Sequence, residues 1–451
     1  MTVASSPDLL AVARRIADQA KPGEQIEAYV SRASDTSVRV YEGDIEQLQS
    51  ALSEGAGIRV IKNGRTGFAY TGALDEPSLI EALADARDNV EFGTSDEWAG
   101  LAEPDGVEVV RQELWSDALA SFPSQEKVRL ALELERLALA GDKRIRVEAS
   151  EYSDVLAEGA VATSTGIAVF GRESGCVLSI GTLADDGDET QTGYGYSVSR
   201  DPGNLDAVKA AADGVRRATE LLGATKPTSR RTTVVLDPMV TASFLSIIGS
   251  TLNGESVLKG RSIFANRLGE RVAPVALTMV DDPTNPLAYT ASEVDGEGLA
   301  TRHNVLIEDG ILKMFVQSSY SGRRSNSAST GNANRGGYKG APGCGCIALS
   351  LVPGTKTQAE LIADVSDGVL IQQVQGLHSG VNAISGDFST GAAGLQITNG
   401  QLGAPLREFT IASTLQRMLL DIVAIGGDLD WLPSRAAGLS LVIDGISMSG
   451  A

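Results

Sequence analysis

The sequence predicts an α+β fold, in which an N-terminal region of mixed helices and strands precedes a large, mostly antiparallel β-rich C-terminal domain with few helices. Before residue 225, segments with helical hydrophobic spacing alternate with groups of β-type runs. After residue 226, short β-type runs between glycine-rich turns dominate. With 451 residues the chain is too long for one ordinary hydrophobic core, so we expect several domains.

Four consecutive segments follow from these patterns. Residues 1–94 are predicted to form an N-terminal α/β unit, and residues 95–114 an acidic, irregular connector. A central α+β unit is expected at residues 115–225 and the β-rich domain at residues 226–451. The Lys-Pro-Thr-Ser stretch that begins at Lys226 is the predicted hinge between the last two segments.

In the first unit, the apolar stripe between Pro7 and Ala20 predicts a helix. The β-type runs that follow lie at residues 27–30, 37–41, 57–61 and 67–70. Asn63-Gly64 separates the last two runs, and Asn-Gly between β-type runs is a strong signal for a tight hairpin. Helical spacing returns at residues 76–90, where Pro77 lies near the start and loses no hydrogen bond.

In the central unit, we predict a helix at residues 124–140 that is capped by Ser124 and ended by Gly141. Its β-type runs lie at residues 145–152, 167–170, 176–182 and 191–199. A second helix is predicted at residues 205–222. The order of helix, several strands and helix is typical of a mixed α+β unit.

The C-terminal domain is predicted to begin with a strand at residues 232–236. Asp237 and Pro238 then supply an N-cap and a first-turn proline for a helix. Further β-type runs lie at residues 305–307, 394–398 and 439–443. One later segment, residues 413–423, has helical spacing.

Composition excludes several classes of function. The chain carries 38 basic and 58 acidic residues, and a net charge of -20 would repel nucleic acid. No apolar run approaches the roughly 20 residues that a membrane span needs. The polar N-terminus and the odd set of three cysteines predict a reducing, cytoplasmic location. Only two histidines are present, whereas a typical zinc hydrolase draws at least two ligands from histidine.

Five short motifs occur in a defined order along nearly the whole chain. They lie at residues 58–64 with 67–70, 295–298 with 307–310, 329–335, 378–389, and 424–428. In this order they resemble the TldD/PmbA family, whose two branches are also called TldD and TldE. The fourth motif, His-Ser-Gly-Val-Asn through Ser-Gly-Asp-Phe-Ser, is similar to the TldE/PmbA branch.

The resemblance also indicates missing catalytic groups. The peptidase member of the family carries a His-Glu-x-x-x-His helix. When the flanking motifs are aligned without a gap, its two histidine positions fall on Leu245 and Ser250, and its glutamate position falls on Ser246. The family's further cysteine ligand near the C-terminus has no counterpart in residues 426–451. Leucine and serine do not hold a divalent transition metal, and serine is a poor substitute for a carboxylate base. The resemblance therefore implies no catalytic residue and no metal in this chain, with zinc in a TldD-like partner.

Four polar residues are candidates for peptide binding. Asn332 and Arg335 belong to a glycine-rich loop that lacks the Gly-Lys-Ser/Thr of a P-loop, so nucleotide binding is not expected. The backbone donors of that loop suit an extended peptide. His378 and Asn382 lie in a loop rich in Gly, Ser and Asn, where His378 has either a functional role or a structural one in fixing the loop.

Two further clusters have alternative explanations. The acidic set comprises Asp281, Asp282, Asp295 and Glu297. It could bind a cation, but solvated turn carboxylates are the commoner explanation in so acidic a chain. Cys344 and Cys346 could chelate a metal, yet nothing nearby in sequence supplies the other ligands, and cysteine is commonly a small buried hydrophobe.

The resemblance implies a non-catalytic TldE/PmbA-like subunit that forms a heterodimer with a TldD-like metallopeptidase. Such a pair degrades or trims unfolded peptides, including leader segments and small proteins. The alternative is a homodimeric peptide-binding or regulatory protein of the same fold without peptidase activity. A hydrolase that uses Ser246 or Ser250 is a third possibility, but two histidines supply no evident acid-histidine relay. Whether the chain is itself an enzyme stays open.

Overall fold

The computed structural model describes residues 8–187 and 189–451. Pro7, where the first helix is predicted to start, lies outside the described residues. The predicted α+β class is confirmed, with a β-rich body, mostly antiparallel sheets and few long helices. Among the helices described, none is long and apolar enough to cross a membrane.

The first part of the chain forms two helices and three strands. They are α1 (Leu9–Ala17), β1 (Glu24–Tyr41), β2 (Asp44–Lys62), β3 (Arg65–Thr71) and α2 (Glu76–Val90). The predicted hairpin is confirmed, because Asn63 (φ 51°) and Gly64 (φ 73°) both adopt the left-handed conformation of a tight turn between β2 and β3. The runs predicted at residues 27–30 and 37–41 belong to one strand, β1, which pairs with β2 along its whole length, with one shift of register between Arg39 and Val40.

Residues 91–116 contain no helix or strand. The central elements are α3 (Asp117–Ala120), α4 (Ser124–Gly141), β4 (Ile145–Thr163), β5 (Ala168–Asp185), β6 (Thr190–Ser199) and α5 (Ala207–Thr219). The cap predicted for α4 is wrong: Pro123 is the N-cap residue, Ser124 is already helical, and no side chain caps this helix. Serine in the first turn resembles a cap in sequence, but a proline at the preceding position fixes the extended entry of the chain.

The C-terminal part contains many short elements. In chain order they are β7 (Arg230–Leu236), α6 (Pro238–Thr251), α7 (Gly254–Leu258), β8 (Met279–Asp281), β9 (Asn304–Glu308), β10 (Ile311–Leu312), α8 (Ser319–Arg324), β11 (Ala333–Asn334), β12 (Gly343–Cys344), β13 (Leu349–Leu351), α9 (Gln358–Ala363), β14 (Asp367–Gln375), α10 (Leu377–Gly380), β15 (Asp387–Thr398), β16 (Gln401–Thr414), α11 (Leu415–Leu420), β17 (Ile422–Ile425) and β18 (Leu441–Ser449).

One antiparallel sheet joins the first and central parts of the chain. Its strand order is β3-β2-β1-β4-β5-β6, and β1 pairs with β4 from Glu27↔Thr163 to Val40↔Ser150. Helices α1, α2, α4 and α5 pack on this sheet. Because side chains alternate along a strand, Ile26 and Ala28 of β1 pack under the helices, whereas Glu27 and Tyr29 face the C-terminal part.

The C-terminal part is built on a second large sheet. Its strand order is β16-β15-β14-β7-β18-β17, and an additional pairing of β16 with β18 closes a ring of five strands. Strands β10-β9-β8-β13 form a smaller antiparallel sheet beside it. Helix α6 supplies Phe244, Leu245 and Ile248 to the largest hydrophobic core, which these sheets share.

Helix α5 lies unusually close to strand β6, because both carry glycine at the contact. A Cβ atom on Gly195 would lie 1.9 Å from the carbonyl oxygen of Ala210, and one on Gly193 would lie 2.1 Å from that of Gly214. No side chain separates the helix backbone from the strand at these positions. The distance between α5 and β6 is therefore so short that only glycine fits at these two strand positions.

We predict that Gly195→Ala destabilises the protein by about 1–3 kcal/mol, because the added methyl group must push α5 away from the sheet. The matched control is Gly171→Ala, at a strand position where a Cβ atom meets nothing within 4 Å. The midpoint of thermal unfolding, measured by calorimetry, should fall clearly for the first variant and hardly for the second. Equal midpoints for the two variants would contradict the close contact.

Candidate functional site

Helix α6 is fixed at its start by charged contacts. The predicted cap is confirmed: the side chain of Asp237 accepts a hydrogen bond from the Met239 N–H, and Pro238 is the first helical residue. Arg217 of α5 donates to both carboxylate oxygens of Asp237, at 2.9 and 3.2 Å. The position of α6 is thereby tied to the central part of the chain.

The three positions aligned with the peptidase motif do not face a common point. Leu245 is fully buried in the core, whereas Ser246 and Ser250 are exposed. Positions five apart on an ideal helix differ by about 140° around its axis, which explains why Leu245 and Ser250 point in different directions. Each serine hydroxyl donates to a carbonyl of its own helix, Ser246 to Ala242 at 2.9 Å and Ser250 to Ile247 at 2.7 Å.

Gly249 has a packing role in this helix. The helix continues through it to Thr251, so the backbone neither ends nor bulges there. A Cβ atom on Gly249 would lie 2.8 Å from a methyl group of Leu349 and 3.4 Å from the sulfur of Cys346. The missing side chain lets the segment after β12 pack directly against α6.

Cys344 and Cys346 pack on the C-terminal core. Burial raises the pKa of the Cys344 thiol to about 11 and that of the Cys346 thiol well above its usual value. A raised pKa disfavours the thiolate that binds metals. Within residues 8–187 and 189–451, no group of three or more His, Cys, Asp and Glu side chains is arranged to hold a metal ion.

Three of the four predicted turn carboxylates are buried, so the prediction that this acidic set is solvated is wrong for them. Asp281, Asp295 and Glu297 are at most 5% exposed. Asp281 and Glu297 are bonded by groups from distant segments, which the local sequence does not show. Asp295 is bonded both by nearby N–H groups and by that of the distant Ala333. Asp282 remains nearer the surface, where one of its oxygens lies 2.9 Å from Nδ1 of His303.

Asn332 is fully buried, and its side chain forms hydrogen bonds to several segments of the C-terminal part. Its Nδ2 donates to Asp281 at 2.6 Å, and its Oδ1 accepts from Thr330 at 2.7 Å and from Asn304 at 3.0 Å. The other oxygen of Asp281 accepts the N–H groups of residues 347 and 348, both at 2.8 Å. Burial raises the pKa of Asp281 to about 6, although these hydrogen bonds act in the opposite direction. The Asn332 side chain is therefore not accessible to a peptide in this conformation, and it can influence one only by positioning the residues that surround it.

Arg335 joins the first sheet to the C-terminal part. Its guanidinium group lies 2.6 Å from Glu27 of β1, and it donates to the carbonyls of Gly296 and Gly340 at 3.1 Å each. It also lies over the ring of Tyr29, 4.8 Å from the ring centre. The side chain is only 3% exposed, but its edge contributes to the wall of a cleft.

Glu27 has a second cationic partner, so the contact is a buried network. Arg59 lies opposite Glu27 in the β1–β2 register and approaches it to 2.8 Å. Arg59 is also 3.9 Å from Glu297, which accepts two hydrogen bonds from Ser319. Burial alone would raise the pKa of Glu27, but Arg335 and Arg59 outweigh it and lower that pKa below its usual value.

Asp295 lies beside this network and lines the same cleft. Its oxygens accept the N–H groups of Glu297 at 2.9 Å, Leu299 at 3.0 Å and Ala333 at 3.0 Å. Burial, and then the nearby charge of Glu297, raise the pKa of Asp295 to about 7. The carboxyl group of Asp295 therefore binds a proton more tightly than that of a solvated aspartate.

The cleft has a volume of about 980 Å³ and lies between the first sheet and the C-terminal part. Many charged and aromatic side chains line its wall. They include Tyr29, Arg32, Glu113, Trp115, Glu158, Arg172, Glu173, Arg200, Tyr289, Glu293, Asp295, Arg335, Tyr338, Lys339 and Arg435. Of the four residues predicted to bind peptide, Arg335 lines this cleft, and so does Asp295 of the predicted acidic set.

The other two candidate residues lie on a different surface. His378 is exposed in α10, and Asn382 is exposed in the loop that follows it. The side chain of Asn382 accepts the N–H groups of Ile384 at 2.9 Å and Ser385 at 3.2 Å, so it fixes a turn. Peptide binding by Asn332, Arg335, His378 and Asn382 stays a prediction.

Glu27, Arg59, Glu173 and Arg200 were not among the residues predicted from the sequence. A signal was present for the first two, because each is a charged residue inside an otherwise apolar β-type run. Opposite charges at facing positions of neighbouring strands are typical of a buried or functional contact. Glu173 and Arg200 carry no comparable signal, since they lie at strand positions and ends where charged residues are common.

Comparison with known proteins agrees with this architecture. Family models match residues 26–90 as PmbA/TldA metallopeptidase domain 1, residues 117–222 as the central domain and residues 229–450 as the C-terminal domain. Together with the fold, these matches define the class as a metallopeptidase-like protein of three consecutive domains. The chain belongs to the PmbA/TldD metallopeptidase family.

Its relatives are similar over almost their whole length. A metalloprotease PmbA homolog of Haemophilus influenzae is 26% identical, over 95% of this chain and 93% of the relative. The crystal structure of a proposed modulator of a DNA gyrase from Thermotoga maritima is similar with a TM-score of 0.89 and 25% identity, over 96% of this chain and 98% of that one. TldE from Thermococcus kodakarensis shares the fold with a TM-score of 0.87, at 23% identity over 94% and 97% of the two chains.

We predict that Glu27→Gln destabilises the protein by about 3–5 kcal/mol at neutral pH, because it leaves two buried guanidinium groups without their shared counterion. The control is Glu126→Gln, which breaks an exposed pair with Arg129 and should cost less than about 1 kcal/mol. Urea unfolding of wild type and both variants measures the differences. A loss no larger for Glu27→Gln than for the control would contradict the buried network.

We also predict how the stability difference between wild type and Glu27→Gln depends on pH. The pKa of Glu27 is lowered from 4.5, so its stabilising charge is present above that pH and is lost as the pH falls through the folded-state pKa. The difference in unfolding free energy between wild type and Glu27→Gln should therefore be constant at neutral pH and shrink in acid. A difference that grows on acidification would exclude this role of Glu27.

Proposed function

We propose that this chain is a non-catalytic, TldE/PmbA-like subunit of a TldD-type metallopeptidase complex, which degrades or trims unfolded peptides. The zinc of that complex would be held by the TldD-like partner. The observation that carries the proposal is the state of α6, where Leu245 is turned into the core and Ser246 and Ser250 bond to their own helix. None of these side chains is available as a metal ligand or as a carboxylate base.

The role left to the chain is to bind and orient extended peptides and to stabilise its partner. The cleft beside Arg335 offers charged and aromatic side chains for the first task. A net charge of -20 makes nucleic acid an unfavourable partner. Its three free cysteines support a reducing, cytoplasmic setting, which is part of the proposal.

A co-expression experiment tests the partnership. We expect this chain and a TldD-like chain from the same genome to elute as a heterodimer that contains zinc and cleaves denatured casein, whereas this chain alone is inactive and holds no stoichiometric zinc. Light scattering, elemental analysis and peptide mapping provide the measurements. Cleavage by the isolated chain that requires bound zinc and stops with a chelator would overturn the proposal.

Light scattering also separates the alternative from the proposal. A stable self-dimer that forms no complex with the TldD-like chain would favour the alternative, a homodimeric peptide-binding or regulatory protein. A heterodimer in a fixed one-to-one ratio would support the partnership. A tag of different size on each chain gives the self-dimer and the heterodimer different masses, so light scattering distinguishes them.

The double variant Ser246→Ala, Ser250→Ala tests whether either hydroxyl takes part in catalysis. We expect the heterodimer that contains it to cleave casein at a rate within about twofold of the unmodified complex, because both hydroxyls are bonded within α6. The control is Ser243→Ala on the same helix, whose hydroxyl bonds to Met239. A loss of tenfold or more in the double variant alone would revive the serine-hydrolase alternative.

A further inference from the structure

Strand β2 of the first sheet has a long edge that no other strand covers. It begins at Asp44, but β3 pairs only with its second half, from Ala56 to Lys62. Among the described residues, no strand pairs with residues 44–55 on the side away from β1, and residues 44–53 are exposed. The backbone N–H and C=O groups of such an edge are free to pair with another strand.

The tight hairpin between β2 and β3 shows which backbone groups point outward from this edge. Lys62 and Arg65 flank the two-residue turn, so they form a hydrogen-bonded pair, and every second residue of β2 directs its N–H and C=O to the β3 side. The register with β1 is unbroken from residue 62 back to residue 47. Leu48, Ser50 and Leu52 therefore direct their backbone groups outward, beyond the end of β3.

The same edge carries two leucines on one face. Across the pairing with β1, Leu48 faces Val38 and Leu52 faces Ser34, and facing residues share a side of the sheet. Val38 is buried in the core beneath α4, so both leucines lie on the helix side of the sheet. Leu48 is 49% exposed and Leu52 is 68% exposed. Another strand at this edge would remove part of that apolar surface from water.

Residues 47–53 lack the features that normally keep a sheet edge from pairing. This run, Gln-Leu-Gln-Ser-Ala-Leu-Ser, contains no charged residue and no proline, whereas natural edges are usually blunted by lysine, proline, a bulge or a short strand. The shift in the β1–β2 register lies beyond the run, between Arg39 and Val40. The nearby hairpin tip is fixed, since the N–H of Gly43 donates to Glu135 of α4 at 2.9 Å. The open edge is therefore a firmly held strand.

The pattern of this edge is symmetric about Ser50. Ser50 is the midpoint of residues 45–55, which lie between the hairpin tip and the end of β3, and a leucine lies two residues away on either side. If two such edges pair antiparallel about a two-fold axis at Ser50, Leu48 of each copy faces Leu52 of the other. The hairpin tip of each copy then meets the end of β3 in the other. A two-fold interface requires this kind of self-complementary surface.

The acidic residues that flank the run are compatible with this pairing. Glu46 of one copy would lie opposite Glu54 of the other. Each glutamate already has a cationic neighbour on β1, because Arg39 lies 2.6 Å from Glu46 and Arg32 lies 3.1 Å from Glu54. The negative charges are thereby compensated within each copy, which removes most of the repulsion between facing carboxylates.

We infer that two copies of this chain associate through strand β2, edge to edge and antiparallel, with Ser50 at the two-fold axis. The two six-stranded sheets then form one continuous sheet, and the leucines of both copies form an apolar cluster on its helix side. The inference assigns a surface that the proposed function leaves unassigned, and it does not depend on a TldD-like partner.

Sedimentation equilibrium of the isolated full chain tests the self-association. We expect a dimer at micromolar concentrations and a dissociation constant about tenfold larger for Leu52→Lys, because a charge replaces a leucine at two symmetric contacts. The matched control is Val208→Lys in α5, which packs at the opposite end of the sheet, since Val208 is similarly exposed at 65%. A monomeric wild type, or an equal effect of the two variants, would overturn the inference.

Disulfide crosslinking tests the register. Ser50→Cys should form a covalent dimer on mild oxidation with diamide, because directly opposed strand residues have Cα atoms about 5.5 Å apart, within the reach of a disulfide. The control is Gln47→Cys, whose two copies would lie about 20 Å apart along the paired strands. Wild type, with its three free cysteines, gives the background. Equal crosslinking of Ser50→Cys and Gln47→Cys would contradict the pairing about Ser50.

The inference and the proposed function can fail separately. Self-association is measured on the isolated chain, whereas the proposed function is measured by complex formation with a TldD-like chain and by casein cleavage. A chain that is monomeric alone but active in the heterodimer would overturn the edge pairing only. A self-dimer that Leu52→Lys weakens, in a chain that forms no heterodimer, would support the edge pairing and contradict the proposed function.

Discussion

The carboxylate of Glu27, held between two guanidinium groups, is the contact on which the arrangement of the whole molecule depends. Arg59 comes from the neighbouring strand of the same sheet, whereas Arg335 comes from the C-terminal part. Each of these charges would be costly to bury alone. Glu27 compensates one positive charge of the two guanidinium groups, and Glu297, 3.9 Å from Arg59, supplies a second negative charge. The network therefore fixes both the internal order of the sheet and the position of the C-terminal part against it.

The same network separates two cavities. Arg335 lines the larger cleft, whereas Arg59 and Glu297 line a second cavity of about 530 Å³ beside residues 94–100 and α8. A buried ion network is a rigid partition, because any displacement of one member leaves another charge unpaired. This gives the larger cleft a firm wall with Arg335 at its edge. A firm wall is what a site needs if it is to orient a ligand rather than merely surround it.

The sequence predicted those features whose causes are local. The hairpin at Asn63-Gly64 and the start of α6 at Asp237 depend on backbone preferences and on caps within a few residues. The length of β1 was underestimated because its polar middle looks like a loop until β2 and β4 supply partners on both sides. The burial of Asp281 was mispredicted for the same reason, since its partners Asn332, Ile347 and Ala348 lie far along the chain. The cleft itself arises from packing between distant segments and has no local signature.

The inward direction of Leu245 has a consequence for engineering. Replacing Leu245 and Ser250 by histidine would place one imidazole among apolar side chains and the other in water, on different sides of a regular helix. A single ion could not reach both without a rearranged backbone in the last turn. Conversion of this chain into a peptidase therefore requires remodelling of main-chain geometry around Gly249, and exchange of side chains alone would yield a less stable protein that remains inactive.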